Sequence, residues 1–400
     1  MFGTRDGESK QEHREKAFNV FAKLLQEHRN DVKKRSLLLS HTSSLLHRMI
    51  DRSLLSLDYV QHLLWDYYDG LSSDADADLV GTSRADMAAA LADHIPHMIS
   101  SRRGASAACA AFGCAAAKDR KKMMRSLRGY VRSTLEHRDA HLVPLRMILT
   151  CDDTVSSKKF ILDELLGAPP DPEGGGDPLL DLALHPTAHK MLLVLLSSVD
   201  PTTSPHFPPD ERVLLAPTMV LVEGKLVSTS RKDPAVRRTE LLKHAQTPVA
   251  TLCRSHARTM MMDRCGAAVL REAFMVLGEE DRLANDVVAS VTTEVLEHET
   301  GHLTLKRMLA AEVKGEGNGP KSLPLAEAMY KTYGKKLLET IGASNRGAFV
   351  LSVLATAGTI GEKVQKEIMK KKCMEKLKKK TGDAQNKKGY EALLAVLKQK

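Results

Sequence analysis

A small residue, two variable residues and then a short apolar run recur along this chain, with exceptions and usually after a turn. The pattern appears at Leu46-His47-Arg48-Met49-Ile50, Ala105-Ser106-Ala107-Ala108-Cys109, His141-Leu142-Val143-Pro144-Leu145 and Ala188-His189-Lys190-Met191-Leu192. It returns at Gly266-Ala267-Ala268-Val269-Leu270, Gly301-His302-Leu303-Thr304-Leu305 and Arg346-Gly347-Ala348-Phe349-Val350. Several spacings fall near ~36–47 residues, the period of two- or three-helix repeats. Units of this kind bury their cores only against their neighbours. The pattern therefore predicts an all-α chain, a curved solenoid resembling an armadillo superhelix, with a long binding face.

Between the repeats, helices are predicted over 11–28 (apolar stripe Phe18, Phe21, Leu24, Leu25), 37–50 and 54–68. Residues 72–78 read as an exposed acidic loop. Asp119 to Leu135 reads as one helix carrying Arg120, Lys121, Lys122, Arg125, Arg128 and Arg132 along a broad stripe. Turn chemistry marks 167–178, 201–217 and 314–324 as loops. Met219 to Ser228 predicts a β-hairpin turning at Glu223-Gly224, and Asp233-Pro234 opens a basic helix through Arg237, Arg238 and Lys243. The resulting division is a disordered stretch 1–10, repeats over 11–166, a Pro/Gly-rich insertion 167–180, further repeats over 181–361, and a lysine-rich segment with a capping helix over 362–400.

Composition narrows this picture. Hydrophobic residues make up 42% but aromatics only 4%, so the core is mostly Leu, Ala, Val and Met, a mix that favours helix. The net charge of +9 points to nucleic acid first and an anionic membrane second. Six cysteines without CxxC or disulfide-like spacing suit buried thiols in a reducing compartment, cytosolic or nuclear. No signal peptide or membrane span is expected.

One motif suggests metal chemistry. His298-Glu299-Thr300-Gly301-His302 matches HExxH, which in zinc proteases places two imidazoles one helical turn apart. The repeat pattern instead starts the helix near Thr300 and leaves His298 in the preceding turn. With no Walker loop and no GxSxG, the chain is not expected to be an enzyme or to need a cofactor or metal.

Further segments carry a resemblance. Ala117-Lys118-Asp119-Arg120-Lys121, Cys151-Asp152-Asp153-Thr154, the run Lys232 to Leu242 (KDPAVRRTELL), Ser344-Asn345-Arg346-Gly347-Ala348 and Gly389-Tyr390-Glu391-Ala392-Leu393-Leu394 occur in this order. In order and spacing, over roughly 12–398, they resemble the Puf-A/penguin branch of the Pumilio-repeat (PUF) RNA-binding proteins. That resemblance implies Pumilio-like repeats, a nucleolar location, and a role in maturing the large ribosomal subunit through precursor rRNA and assembly proteins. Some relatives also resemble messenger RNA binders that repress translation. It further implies a lysine-rich extension and more repeats ahead of the segment matching Gln11, so the RNA surface here is expected to be partial.

Sequence-reading Pumilio repeats hold a base with three side chains on an inner helix. The repeat pattern places these at His47/Arg48/Asp51, Ser106/Ala107/Ala110, Leu142/Val143/Arg146, His189/Lys190/Leu193, Ala267/Ala268/Arg271, His302/Leu303/Lys306 and Gly347/Ala348/Leu351. Only the first set keeps three polar side chains, so no base code is expected. Affinity would come from phosphate contacts by His47, Arg48, Arg102, Arg103, Lys121, Lys122, Arg125, Arg128, Lys190, Lys306, Arg307 and Arg346. The expected partner is structured or double-stranded RNA, met by a monomer within a ribonucleoprotein that also holds ribosomal proteins and assembly factors. The alternatives are a protein-binding HEAT/armadillo-like scaffold, or a translational repressor on mRNA. The lysine-rich tail reads equally as a nuclear localisation signal, an RNA-contacting arm or a solvated helix.

Overall fold

The repeat is built around one local device, a corner of about seven residues that turns the chain into a stacking helix. At six corners among the described residues a side chain accepts backbone N–H groups at the helix start, and a Gly or Ala stands three positions later. Ser101 Oγ accepts from Gly104 N–H at 3.1 Å, Asp263 Oδ1 from Gly266 N–H at 2.7 Å and Ser344 Oγ from Gly347 N–H at 3.0 Å. Each bond satisfies a donor that a helix start otherwise leaves open. The glycines are required by space. A Cβ on Gly104, Gly301 or Gly347 would stand 1.8, 2.3 and 1.9 Å from the carbonyl oxygens of Met98, Val295 and Ile341.

Histidine takes the capping place at three corners. His137 Nδ1 accepts from Ala140 N–H, His185 Nδ1 from Ala188 N–H and His298 Nδ1 from Gly301 N–H, at 3.2–3.4 Å. Four residues on, Nδ1 of His141, His189 and His302 bonds back to the carbonyl of its partner at 3.3, 2.8 and 2.7 Å. HRDAH, HPTAH and HETGH are thus one repeated corner. The HExxH match is its third copy, with His298 in the turn before the helix. Both Nδ1 atoms serve the backbone.

The computed structural model describes residues 20–72, 77–167, 176–222, 225–277, 280–315, 323–383 and 387–398. Segment 1–10, the Glu223-Gly224 turn and most of the acidic and Gly-rich loops lie outside them. Among the described residues the chain is helical apart from one hairpin, β1 (Met219–Val222) against β2 (Lys225–Ser228), antiparallel with Met219 opposite Ser228. The fold is the all-α array of Pumilio-like helical repeats expected from the sequence. No single described helix is long and apolar enough to cross a membrane.

The chain forms two compact units, one from 1–168 with 199–241 and one from 169–198 with 242–400. In the first, the stacking helices are α1 (Asp58–Ser72), α2 (Arg102–Cys114) and α3 (Leu142–Thr150), packed α1 on α2 and α2 on α3. In the second they are α4 (His189–Leu196), α5 (Arg264–Val276), α6 (Gly301–Lys314), α7 (Asn345–Leu354) and α8 (Lys388–Lys398), each packed on the next. The closing helix α8, read from sequence as a cap, packs on α7 as a further stacking helix. Its Gly389 N–H is taken by Asn345 Oδ1 at 2.7 Å and its Tyr390 hydroxyl donates to the Ala343 carbonyl. The core is aliphatic and thioether-rich, with Leu64, Met87, Met123, Leu145, Met191, Val269, Leu305 and Leu351 fully or nearly fully buried.

Two expectations need correction. The motif at Leu46 to Ile50 does not open a stacking helix. It ends the 20-residue helix Val32–Asp51, whose buried side is Leu39, Thr42, Leu46 and Ile50. The chain turns at Ser53 (φ 56°) before α1 begins at Asp58. The stretch from Asp119 to Leu135 is two helices, Ala117–Ser126 and Val131–Glu136. Gly129 breaks it at φ 84°, and Glu164 accepts the freed N–H groups of Gly129 and Val131 at 2.7 and 2.9 Å.

Candidate nucleic-acid interface

The corners give each stacking helix a fixed register. Counted from the capping residue, three of the expected base-reading sets, those at 189/190/193, 267/268/271 and 302/303/306, share the fourth, fifth and eighth places. Those at 106/107/110 and 142/143/146 are one residue late, and that at 347/348/351 one early, because the small–apolar pattern is satisfied equally by a one-residue shift. His47, Arg48 and Asp51 lie on Val32–Asp51 and not on the stacking helix α1. Gln61 is fully buried and committed to the Leu55 carbonyl, Ser100 and Ser101 at 2.5–2.9 Å.

The twelve candidate phosphate donors separate by element. In the first unit, His47 and Arg48 stand on Val32–Asp51, with His47 Nδ1 bonded to the Ser43 carbonyl at 2.8 Å. Lys121, Lys122, Arg125 and Arg128 are exposed on Ala117–Ser126 and the turn after it, in the layer flanking the stacking helices. Lys122 lies 3.8 Å from Asp93. Only Arg102 and Arg103 of this unit are on a stacking helix. Arg102 is paired with Asp210 at 2.6 Å, and the Arg103 guanidinium lies 5.9 Å from the centre of the Trp65 ring.

In the second unit the cations sit on successive stacking helices: Lys190 on α4, Arg264 and Arg271 on α5, Lys306 and Arg307 on α6, Arg346 on α7. They feel one another. Burial, and then the charge of Arg307, hold the Arg271 guanidinium below its ordinary range. Burial pushes the His302 imidazole down, and the charges of Arg346 and Lys306 add to it. Lys306 is fixed over the Phe349 ring at 5.0 Å, and Arg346 donates to the Glu297 carbonyl. Lys190 is the least accessible, at 9% exposure. The result is a pre-positioned row of like charges, exposed at Arg264, Arg307 and Arg346, half-buried at Arg271 and Lys306, and buried at Lys190. Arg271 and Arg264 belong to it although sequence reasoning left them out of the donor set; the eighth place after the cap and the helix start were the available signals.

Three of the motifs that carry the family resemblance, around Arg120, Asp152 and Arg237, do something else. They meet at a joint in the first unit. Asp152 accepts from Ser230 Oγ, from the N–H groups of Arg231 and Lys232, and from Arg237, at 2.9–3.1 Å. Burial alone would raise the Asp152 carboxyl; these donors outweigh it and hold it at about 2. Arg237, 3% exposed, also donates to the carbonyls of Leu149, Cys151 and Lys232. Thr154 and Lys232 both reach Glu240. Arg120 donates to the carbonyls of Gly113 and Thr229, and Arg146 to the Leu214 carbonyl and Thr218 Oγ1. Arg146, assigned from sequence to a base-reading set, is 3% exposed and clamps the hairpin segment to α3. Arg120 is likewise buried rather than part of an exposed stripe.

Comparison with known proteins bears on the family. Residues 185–318 match the model of the CPL (NUC119) domain. The chain is 26% identical over 283 residues to Pumilio homolog 3 of Rattus norvegicus, covering 68% of this chain and 41% of the relative. It is 24% identical over 161 residues to Protein penguin of Drosophila melanogaster, covering 40% and 19%. Its fold is similar to that of human Puf-A solved in complex with DNA, with a TM-score of 0.75 at 23% identity, covering 92% of this chain and 67% of that one. In sequence and in fold the chain is similar to the Puf-A/penguin branch of the Pumilio-repeat proteins. It spans less than half the length of the curated relatives it matches. The CPL match covers α4, α5, α6 and Pro234–Ser255, the elements that carry most of the basic row.

Proposed function

We propose that this chain binds nucleic acid, and more narrowly that it is a nucleolar assembly factor for the large ribosomal subunit. In this reading it grips structured precursor rRNA through backbone phosphates with little sequence preference. The observation that supports it is the row Arg264, Arg271, Lys306, Arg307 and Arg346, in which Arg271 lies under the charge of Arg307. Repulsion of that kind is relieved by a polyanion, and cations spaced along stacked helices suit a phosphate backbone. The base-reading places are mostly Ala, Leu or buried groups, which supports shape and backbone recognition over a base code. Ribosomal proteins and other assembly factors would be its neighbours.

The test is fluorescence anisotropy with a structured ribosomal RNA fragment and a shuffled duplex over a salt series. Equal affinities that fall steeply with salt are expected. A strong preference for one single-stranded sequence would favour the mRNA-repressor reading, and no binding to either RNA would favour a protein scaffold.

A further inference from the structure

The lysine-rich segment has two sides in the second unit. Helix Lys371–Asp383 is held down by Lys376 on Glu339 at 2.5 Å and by Lys380, which donates to the Gly342 and Ala343 carbonyls at 3.2 and 2.7 Å and lies over the Tyr390 ring. Leu377 is fully buried beneath it. These contacts make the run a packed helix, with two of its lysines spent on anchoring.

The other side stays open. Met374, Lys378 and Thr381, spaced four and three apart, line with Leu394, Leu397 and Lys398 of α8 a cleft of about 510 Å³ that Met369 also lines. Its surface is mainly apolar, and Met369 is 55% exposed. Thioethers suit a surface that re-packs around different side chains. Lys378 and Lys398 stand on the cleft itself, and Lys370, Lys371, Lys372 and Lys379 are exposed on Lys371–Asp383 and the turn before it. A nucleic-acid backbone has no use for an apolar floor. An amphipathic helix lays apolar side chains at i, i+3/i+4 and i+7 into such a groove, and the lysine rim selects one whose polar face is acidic.

We infer that the cleft between Lys371–Asp383 and α8 is a docking groove for an acidic amphipathic helix of a partner protein. The groove is separate from the basic row on α5, α6 and α7, so one chain holds RNA and a protein at different places.

The experiment uses the full chain and fluorescein-labelled 18-residue peptides: an amphipathic helix with Leu at i, i+3/i+4 and i+7 and Glu elsewhere, a scramble of the same composition, and a Lys-for-Glu version. Anisotropy should report binding of the first peptide only, weakened at least tenfold in Met374→Asp and in Lys378→Glu/Lys398→Glu, with affinity for duplex RNA unchanged. The lysine variant alters exposed positions only, and circular dichroism checks that both variants are folded. Equal binding of peptide and scramble, or no binding of either, would overturn the inference. So would loss of duplex-RNA affinity in Lys378→Glu/Lys398→Glu, which would make the rim part of the RNA surface. Concentration-dependent dimers in sedimentation that Met374→Asp abolishes would assign the groove to a second copy and overturn it as well.

Discussion

The arginines of the two units stand in opposite environments. In the first unit Arg120, Arg146 and Arg237 are buried and aimed at carbonyl oxygens, hydroxyls and Asp152. In the second, Arg271 and Arg307 are half-exposed or exposed and near each other. A buried guanidinium bonded to several backbone carbonyls fixes one arrangement of the backbone, and removing it leaves those carbonyls without a partner. A surface guanidinium beside another cation contributes little to folding and gains when an anion arrives. Residue type alone does not separate a clamp from a ligand-binding group. Depth, and what the fork points at, does.

Four changes would break or sharpen this contrast. The largest effect is expected at the clamp. Arg237→Ala should destabilise the first unit by about 3–5 kcal/mol, because the Leu149, Cys151 and Lys232 carbonyls lose their buried donor and Asp152 loses its ion pair. A thermal or urea unfolding curve would show it. The joint should also respond to acid. The Asp152 carboxyl is depressed to about 2 from 3.8, so its contribution is present above about pH 4 and lost as pH falls toward 2. Asp152→Asn should flatten that limb of the stability profile.

Next is the corner. Gly347→Ala forces a Cβ against the Ile341 carbonyl and should cost about 2 kcal/mol as overpacking against rigid backbone. Ser344→Ala, which removes only the cap, should cost about 1 kcal/mol. The order of the two by unfolding midpoint tests whether space or hydrogen bonding governs the turn.

Third, Arg271→Gln with Arg307→Gln should weaken binding to duplex RNA by roughly tenfold near physiological salt and lower the salt slope by about two. Because the pair repels, the melting temperature should not fall. A drop like that of the Arg237 variant would show these arginines to be clamps as well.

The smallest effect concerns Asp66, which is buried with Oδ2 lacking a hydrogen-bond partner. Burial raises its carboxyl to about 6, with Arg103 opposing. A raised acid stabilises the fold below about pH 4, and that contribution fades as pH rises through about 6. Asp66→Asn should therefore stabilise the first unit by up to about 1 kcal/mol at neutral pH and leave it unchanged near pH 4.

What could be read from sequence divides along physical lines. The helices, the hairpin at Met219 to Ser228 and the recurrence of the stacking unit were legible, because hydrophobic periodicity and turn chemistry are local. The register was not, since an apolar run beginning one residue early or late fits the pattern equally, and Leu46 to Ile50 satisfied it at the wrong end of a helix. A better signal was present in HRDAH, HPTAH and HETGH, three copies of one corner. The depth of Arg120, Arg146 and Arg237 was not legible, because most of their partners lie 68 to 109 residues away or, for Arg120, 30. In the basic row, Arg271 was visible as a position and hidden as a member, since its neighbour Arg307 comes from the next helix.

The corner's brevity has a consequence for how such chains vary. Everything it needs, from the crowding carbonyl at Met98 to the glycine at Gly104, lies within seven consecutive residues. Nothing in that span depends on how long the chain wanders before arriving. A lineage can lengthen, shorten or decorate the segments between corners without disturbing the stack. A protein engineer can likewise treat each corner as a fixed connector and the intervening segments as exchangeable cargo.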